Sequence, residues 1–237
     1  PPRPVKDTAS ESIGSYSRGC LIGGVEVPHK GVGFETIRRS RKRYYAHPTT
    51  KAFLEGYGAR LLAAGVKPVL VGDISKARGG KMPSGHSSHQ TGLDVDVWFT
   101  RPEGREADTA FASMVKADET IDTAVWSAEH QTMLRLAAES PDVARVFVNW
   151  VIKEQLCAAA KGQPWLAKIR PWWGHDRHFH VRRACPIGSK DCWNQPAPTS
   201  DECGQESWFS RAAAAARKKA GAKPLKRKRK PLHERCR

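Results

Sequence analysis

His86-Ser87-Ser88-His89-Gln90-Thr91-Gly92-Leu93-Asp94-Val95-Asp96-Val97-Trp98-Phe99 changes character halfway along. From Leu93 the apolar residues alternate. Leu93, Val95, Val97 and Phe99 fall on one side of an extended chain, and Asp94, Asp96 and Trp98 on the other. Such a period of two predicts a half-buried β-strand. Two carboxylates on one face of a core strand are costly to desolvate unless something neutralises them. The segment His175–Arg182, HDRHFHVR, offers the complement: Arg177, Phe179 and Val181 alternate with His178, His180 and Arg182. A strand bearing carboxylates and a strand bearing imidazoles together predict a metal site.

Catalytic zinc usually takes three protein ligands and leaves a fourth position for water. His89, Asp96 and His180 form such a set, with Gly92 allowing the bend between the loop that carries His89 and the strand that carries Asp96. His178 lies two residues from His180 on the same strand face, so it is the candidate base, and His175 is placed to reach in from the preceding turn. The helical His-Glu-x-x-His pattern is absent. A Ser-His-Asp triad built on Ser84 or Ser87 is the alternative chemistry, but the chain has no Gly-x-Ser-x-Gly elbow and more histidines than a triad uses.

Outward from these two strands, helical spacing of Phe53, Leu54, Tyr57, Leu61 and Leu62 after Pro48 predicts a helix stopped at Gly65. A short buried strand follows over 67–72, and a Gly/Lys/Ser loop over 73–85 leads to His86. The connection 101–108 is polar, and 109–125 reads as irregular or partly helical. Ser127 caps a helix through Ala138, ended by Pro141. A strand over 143–148, a helix over 151–160 and a short helical piece over 165–170 precede the turn Pro171–Gly174. Residues 1–33, rich in Ser, Gly and Pro, read as an arm tied at Cys20, and Arg38–Arg43 as a solvated basic face. The fold class expected is α+β: a small antiparallel sheet flanked by helices, stapled by disulfides. Residues 1–210 form the expected metallopeptidase domain, and 211–237 a basic tail holding a short helix over 207–219 and a disordered stretch over 221–230.

The 237 residues carry a formal charge of +16, of which +11 falls in the last 27: twelve Lys and Arg against Glu234. A polybasic tail suits anionic envelope polymers, or is simply a solvated charge run; nucleic acid is a less suitable partner for a secreted chain. The six cysteines are widely spread, with no Cys-x-x-Cys pair, which points to disulfides and an oxidising compartment. Six cysteines allow fifteen pairings. One such set has Cys185 with Cys192 closing a short loop, Cys20 with Cys236 pinning the ends and Cys157 with Cys203; six buried free thiols are the alternative reading. No apolar run is long enough to span a membrane. The opening PPRPVKD reads as a mature N-terminus after processing.

At the quoted residues the chain resembles the penicillin-insensitive murein endopeptidases. These belong to the metallopeptidase group named after lysostaphin, D-alanyl-D-alanine peptidases and sonic hedgehog. Ser87-Ser88-His89 with Gly92 and Asp96 matches the group's first motif, and His178-Phe179-His180 its second. Tyr45–Pro48, Val71–Asp73, Phe147–Asn149 and Gln155–Cys157 also look like family segments, so the resemblance covers most of 20–204. It implies a periplasmic zinc endopeptidase that hydrolyses the D-alanyl–meso-diaminopimelyl bridge between peptidoglycan stem peptides and is insensitive to penicillin because water, not serine, is the nucleophile. It implies His89, Asp96 and His180 as zinc ligands and His178 as base. It matches His86 and His175 to the family's additional histidines, with His86 a contact for substrate or a second metal. Asp118 corresponds to a second-metal position whose companion histidine is Ile121 here. The family's cysteines fall where these six do, which favours the pairings above. Two other readings stand beside it: a zinc-containing binding module without catalysis, and a related D,D-dipeptidase or carboxypeptidase.

Overall fold

A computed structural model describes residues 10–101, 111–221 and 231–237. Most of the connection 101–108, the start of the N-terminal arm and nearly all of the 221–230 stretch lie outside these residues. Strands β1 (Glu11–Ser15), β2 (Arg18–Ile22), β3 (Val25–Glu26), β4 (Lys30–Gly31), β5 (Phe34–Thr36) and β6 (Tyr45–Ala46) precede helix α1 (Pro48–Ala63). β7 (Val69–Val71), β8 (Asp94–Trp98), α2 (Ala128–Glu139), β9 (Val143–Val148) and α3 (Trp150–Ala159) follow. β10 (Ile169–Pro171), β11 (His178–Arg183) and α4 (Arg211–Lys219) complete the order.

The centre is a seven-stranded sheet in the order β10-β9-β11-β8-β7-β5-β4. β8 and β11 are antiparallel neighbours, with His180 opposite Asp96 and His178 opposite Trp98. The class is α+β, as the sequence predicts, but the sheet is larger than expected and two of its pairings, β9–β10 and β5–β7, are parallel. The residues after Trp165 form only a short 3-10 turn, and Ile169 then joins the sheet edge because its side chain is fully buried there.

One face of the sheet packs on helices. Val95, Val97, Val146, Val148, Phe179 and Val181 meet Leu54, Tyr57, Leu134, Ala137, Ile152 and Leu156 in one core. α1 begins at Pro48, with His47 Nδ1 accepting from Thr49 N–H, so the proline removes a donor the helix leaves orphaned anyway. Leu54, Tyr57 and Leu61 recur at three and four residues and are buried; Leu62, one step round from Leu61, is exposed. Gly58 allows α1 to lie against the turn before β5, where an added Cβ would meet Val32 O at 1.9 Å. Tyr57 Oη donates to Met133 O and ties α1 to α2, whose start is capped by His130 Nδ1 accepting from Ser127 N–H.

The other face carries the polar alternation: Asp94, Asp96 and Trp98 on β8, His178, His180 and Arg182 on β11, Arg145 and Phe147 on β9. β8 is buried on both faces, not half-buried as its alternation predicts. The cover comes from the N-terminal region, which is not a plain arm. β1 and β2 form a hairpin whose Tyr16 Oη donates to Arg183 O and whose Ser12 Oγ donates to Thr91 O. The hairpin shows no apolar alternation because small residues such as Ser12 and Gly14 fill positions that apolar side chains fill elsewhere. The basic run is likewise more than a solvated face. Arg43 is buried against Asp73, Arg39 pairs with Glu26, and Arg38 stacks over Trp98.

Three disulfides, Cys20–Cys236, Cys157–Cys203 and Cys185–Cys192, realise the pairings favoured above. The first anchors the chain end, where Arg235 also bridges Glu11 and Asp191. Ser210 caps α4, so the helix expected over 207–219 is split into a 3-10 turn and α4 at that residue. Among the described residues no helix is long and apolar enough to cross a membrane.

Candidate metal centre and cleft

The loop that precedes β8 turns back on itself at Gly92, whose φ of 72° and close approach to His47 N exclude a side chain. His89 stands in the left-handed region at φ 63°, and His175 at φ 57°. Histidine adopts that conformation only at an energetic cost, so both backbones are held by their surroundings. For His89 the holding group is Asp94, whose Oδ2 accepts the His89 backbone N–H at 3.0 Å. For His175 it is Asn149, whose N–H donates to His175 O at 2.9 Å. His175 therefore lies in a turn before β11, as expected of a residue reaching in from the preceding turn.

These constraints bring His89, Asp96 and His180 together. His89 Nε2 lies 3.3 Å from Asp96 Oδ1, His180 Nδ1 lies 3.2 Å from the same oxygen, and the two nitrogens are 3.1 Å apart. The remaining ring nitrogens are fixed from behind. His89 Nδ1–H donates to Ile74 O at 2.9 Å, and His180 Nε2–H donates to Asp94 Oδ1 at 2.7 Å. Each ring therefore turns its other nitrogen toward Asp96, as supporting hydrogen bonds do around bound metals. Asp96 Oδ1 is buried and makes no hydrogen bond. Tetrahedral ligands at about 2.0–2.1 Å from a common ion stand roughly 3.3 Å apart, so this triangle has the size a zinc-like ion requires. The buried, orphaned carboxylate oxygen and the two oriented ring nitrogens are compatible with a divalent metal, which displaces any proton those nitrogens carry.

His86 approaches from the loop. Its Nε2 is 3.5 Å from Asp96 Oδ2 and 3.0 Å from Asp73 Oδ2, and donor atoms of His86, His89 and Asp96 lie within 4.8 Å of one another. Arg43 Nη1 donates to Asp73 at 2.7 Å. His178 Nε2 is 3.9 Å from Asp96 Oδ1, with its ring against Trp98 and His175. His175 Nδ1–H donates to Trp173 O at 2.8 Å, which leaves Nε2 as acceptor. Asp118 makes none of the contacts that tie this cluster together; it is exposed and accepts from Thr120 N–H and Oγ1. Ser84 Oγ accepts from Arg43, and among the described residues neither Ser84 nor Ser87 hydrogen-bonds a histidine, so no triad is assembled.

Burial and charge act against each other here. Burial disfavours the Asp96 carboxylate, but the neighbouring histidines, His89 foremost, outweigh it and hold its pKa well below the usual range. Burial also disfavours charge on His89, yet Asp96 and Asp94 raise its pKa to about 9. His178 and His175 go the other way. Burial dominates and lowers both, His175 to about 3, so both rings are neutral acceptors at neutral pH.

The cluster opens into a cleft of about 1210 Å³. Its floor is the polar face of the sheet, with His180, Phe147 and Arg145; its far wall is Trp172, Trp173, Trp208 and Phe209. The support given by Asp94, the Asp73–Arg43 pair and the aromatic wall had no assignment from the sequence. Only Asp94 left a signal there, through its strand position two before Asp96.

The penicillin-insensitive murein endopeptidase family model matches residues 12–237. A penicillin-insensitive murein endopeptidase of Haemophilus influenzae is 44% identical over 218 residues, covering 88% of this chain and 76% of that protein. Proteins of the same name from Escherichia coli K12 and Klebsiella pneumoniae are 37% and 36% identical, over 99% and 96% of this chain and 87% and 85% of theirs. With the match running through both histidine segments and nearly to both ends, the chain belongs to the penicillin-insensitive murein endopeptidase family.

Proposed function

We propose that this chain is a zinc-dependent endopeptidase of the peptidoglycan cross-link, hydrolysing the D-alanyl–meso-diaminopimelyl bond between stem peptides in the periplasm. Murein endopeptidase is the activity for which the family is named. The observation that carries the metal assignment is the triangle of His89 Nε2, Asp96 Oδ1 and His180 Nδ1 around a buried carboxylate oxygen with no hydrogen bond. We assign the ion to these three because His86 Nε2 already has a carboxylate partner in Asp73. A second metal involving Asp118 finds no support.

A zinc ion held there supplies Lewis acidity, polarising the scissile carbonyl and lowering the pKa of water to about 7. The chain's own residues do the rest. His178, neutral and 3.9 Å from Asp96, accepts the proton of the attacking water and passes it to the departing amine. His175, fixed through Trp173 O, stands beside it on the cleft side, where its free Nε2 accepts from a substrate N–H and positions the peptide. His86, held by Asp73, borders the cleft opposite and contacts substrate. Because the nucleophile is water and not serine, β-lactams that acylate serine do not inhibit it. Two neutral histidines poised at the cluster favour an enzyme over a binding module.

The test is digestion of purified cross-linked muropeptide dimers, read by mass spectrometry, with wild type, wild type plus chelator, and His180→Ala. Conversion of dimer to monomer by wild type, restored after chelation by zinc and reduced more than about a thousandfold in the variant, is the expected result. No cleavage by folded, zinc-loaded wild type would overturn the assignment.

A further inference from the structure

Three arginines face the cleft floor and its edge, and two are already neutralised. Arg182 Nε donates to the buried Asp94 Oδ1 at 2.8 Å, and Arg170 pairs with Glu202. Arg145 differs. Its guanidinium donates to Gln195 Oε1 at 3.2 Å and to Pro196 O, two neutral acceptors that aim it without cancelling its charge. Among the described residues no carboxylate pairs with it. Partial burial and the neighbouring Arg182 both disfavour its charged form, as expected of a cation that lacks its counter-charge.

The register fixes where this charge sits. On β9 and β11, Phe147 lies opposite His180 and Arg145 opposite Arg182. Arg145 is thus two strand residues from the level of His180, about 7 Å at the usual rise. An extended peptide crossing the cluster covers that distance in about two residues. Guanidinium N–H groups left over after the Gln195 and Pro196 bonds match a carboxylate in the bidentate manner.

We propose that Arg145 is a specificity residue that receives a free carboxylate of the peptide substrate, within about two residues' length of the scissile bond. Gln195, shared between Arg145 and Arg182 Nη1, positions it. The inference rests on the reading of this cleft as the peptide site of a murein endopeptidase, and makes the enzyme selective for acidic over amidated cross-links.

The test uses the full-length, zinc-loaded protein and two synthetic cross-linked peptides. They are identical except that the carboxyl groups flanking the cross-link are free in one and carboxamides in the other. Wild type should show kcat/KM about 10- to 100-fold higher on the free acid, the usual span for one charge-assisted contact. In Arg145→Gln the acid-to-amide ratio should fall toward one, and in Arg145→Lys, which keeps the charge but not the fork, it should lie between. Equal rates on both peptides by wild type, or an equal loss on both in Arg145→Gln with the ratio preserved, would overturn the role of Arg145 and leave the endopeptidase reading standing. Cleavage of neither peptide by folded wild type would overturn both.

Discussion

The two walls of the cleft are built on different principles. The floor is a strand ladder in which β8, the loop before it and β11 place His89, Asp96 and His180 within 3.3 Å of one another, with both histidine rings backed by a second hydrogen-bonding group. The facing wall, Trp172 and Trp173 together with 195–213, has little regular structure and holds exposed aromatics, Trp208 being 58% exposed. A main anchor of that wall is the Cys157–Cys203 disulfide to α3, aided by the Arg170–Glu202 pair and by Phe209 against Trp172 and Trp173. A rigid scaffold carrying the reacting groups and a loop presenting contact surface is a common division of labour. It implies that the two walls should be separable by experiment, one governing metal and turnover, the other substrate affinity.

The largest effect is expected from loosening the loop wall. The Cys157–Cys203 crosslink closes a loop with a sequence separation of 46. Removing it in Cys157→Ser/Cys203→Ser should cost about 4 kcal/mol of stability by chain entropy, seen as a lower midpoint in denaturant. The comparison predicts that KM for cross-linked peptide rises while zinc content and kcat change little; a loss of zinc would show that the walls are not independent. Breaking the floor comes next. Asp94→Asn keeps the shape but weakens the hold on the His180 ring and the His89 backbone, so zinc affinity should fall by about 10- to 100-fold with KM little changed, measured by competition with a chromophoric chelator. The smallest effect should come from the opposite face of the sheet, where His130 is buried, accepting from Ser127 N–H and donating through Nε2 to Phe99 O. Burial lowers its pKa, so the unfolded chain binds the extra proton first as pH falls below 6.5. Its contribution is fully present above pH 6.5 and declines toward acid. His130→Gln should flatten the fall of Tm between pH 7 and 5 without touching activity.

Legibility in the sequence followed the range of the interactions. Period two exposed β8 and β11, because alternation is imposed by strand geometry itself. The set His89, Asp96 and His180 was legible for the same reason: a polar face on a core strand demands a partner of opposite charge. The hairpin over 11–22, the burial of Arg43 against Asp73 and the joining of Ile169 to the sheet edge were not. The hairpin pairs locally but puts small residues at its buried positions, and the other two depend on a contact with a segment far along the chain, so none leaves a local period.

By itself, then, the sequence determined the two strands, the residues that meet on them, the helices with an apolar stripe and, with the resemblance, the cysteine pairing. The tertiary structure alone decided which ring nitrogen of each histidine faces Asp96, since that is set by acceptors at Ile74 and Asp94. It also decided which arginine is left without a carboxylate partner. Arg145, Arg170 and Arg182 look alike in the chain, and only the packing gives Glu202 to one, Asp94 to another and neutral carbonyls to the third. The physical reason is that backbone period is a local property, whereas desolvation and charge pairing are settled by whatever the fold brings alongside.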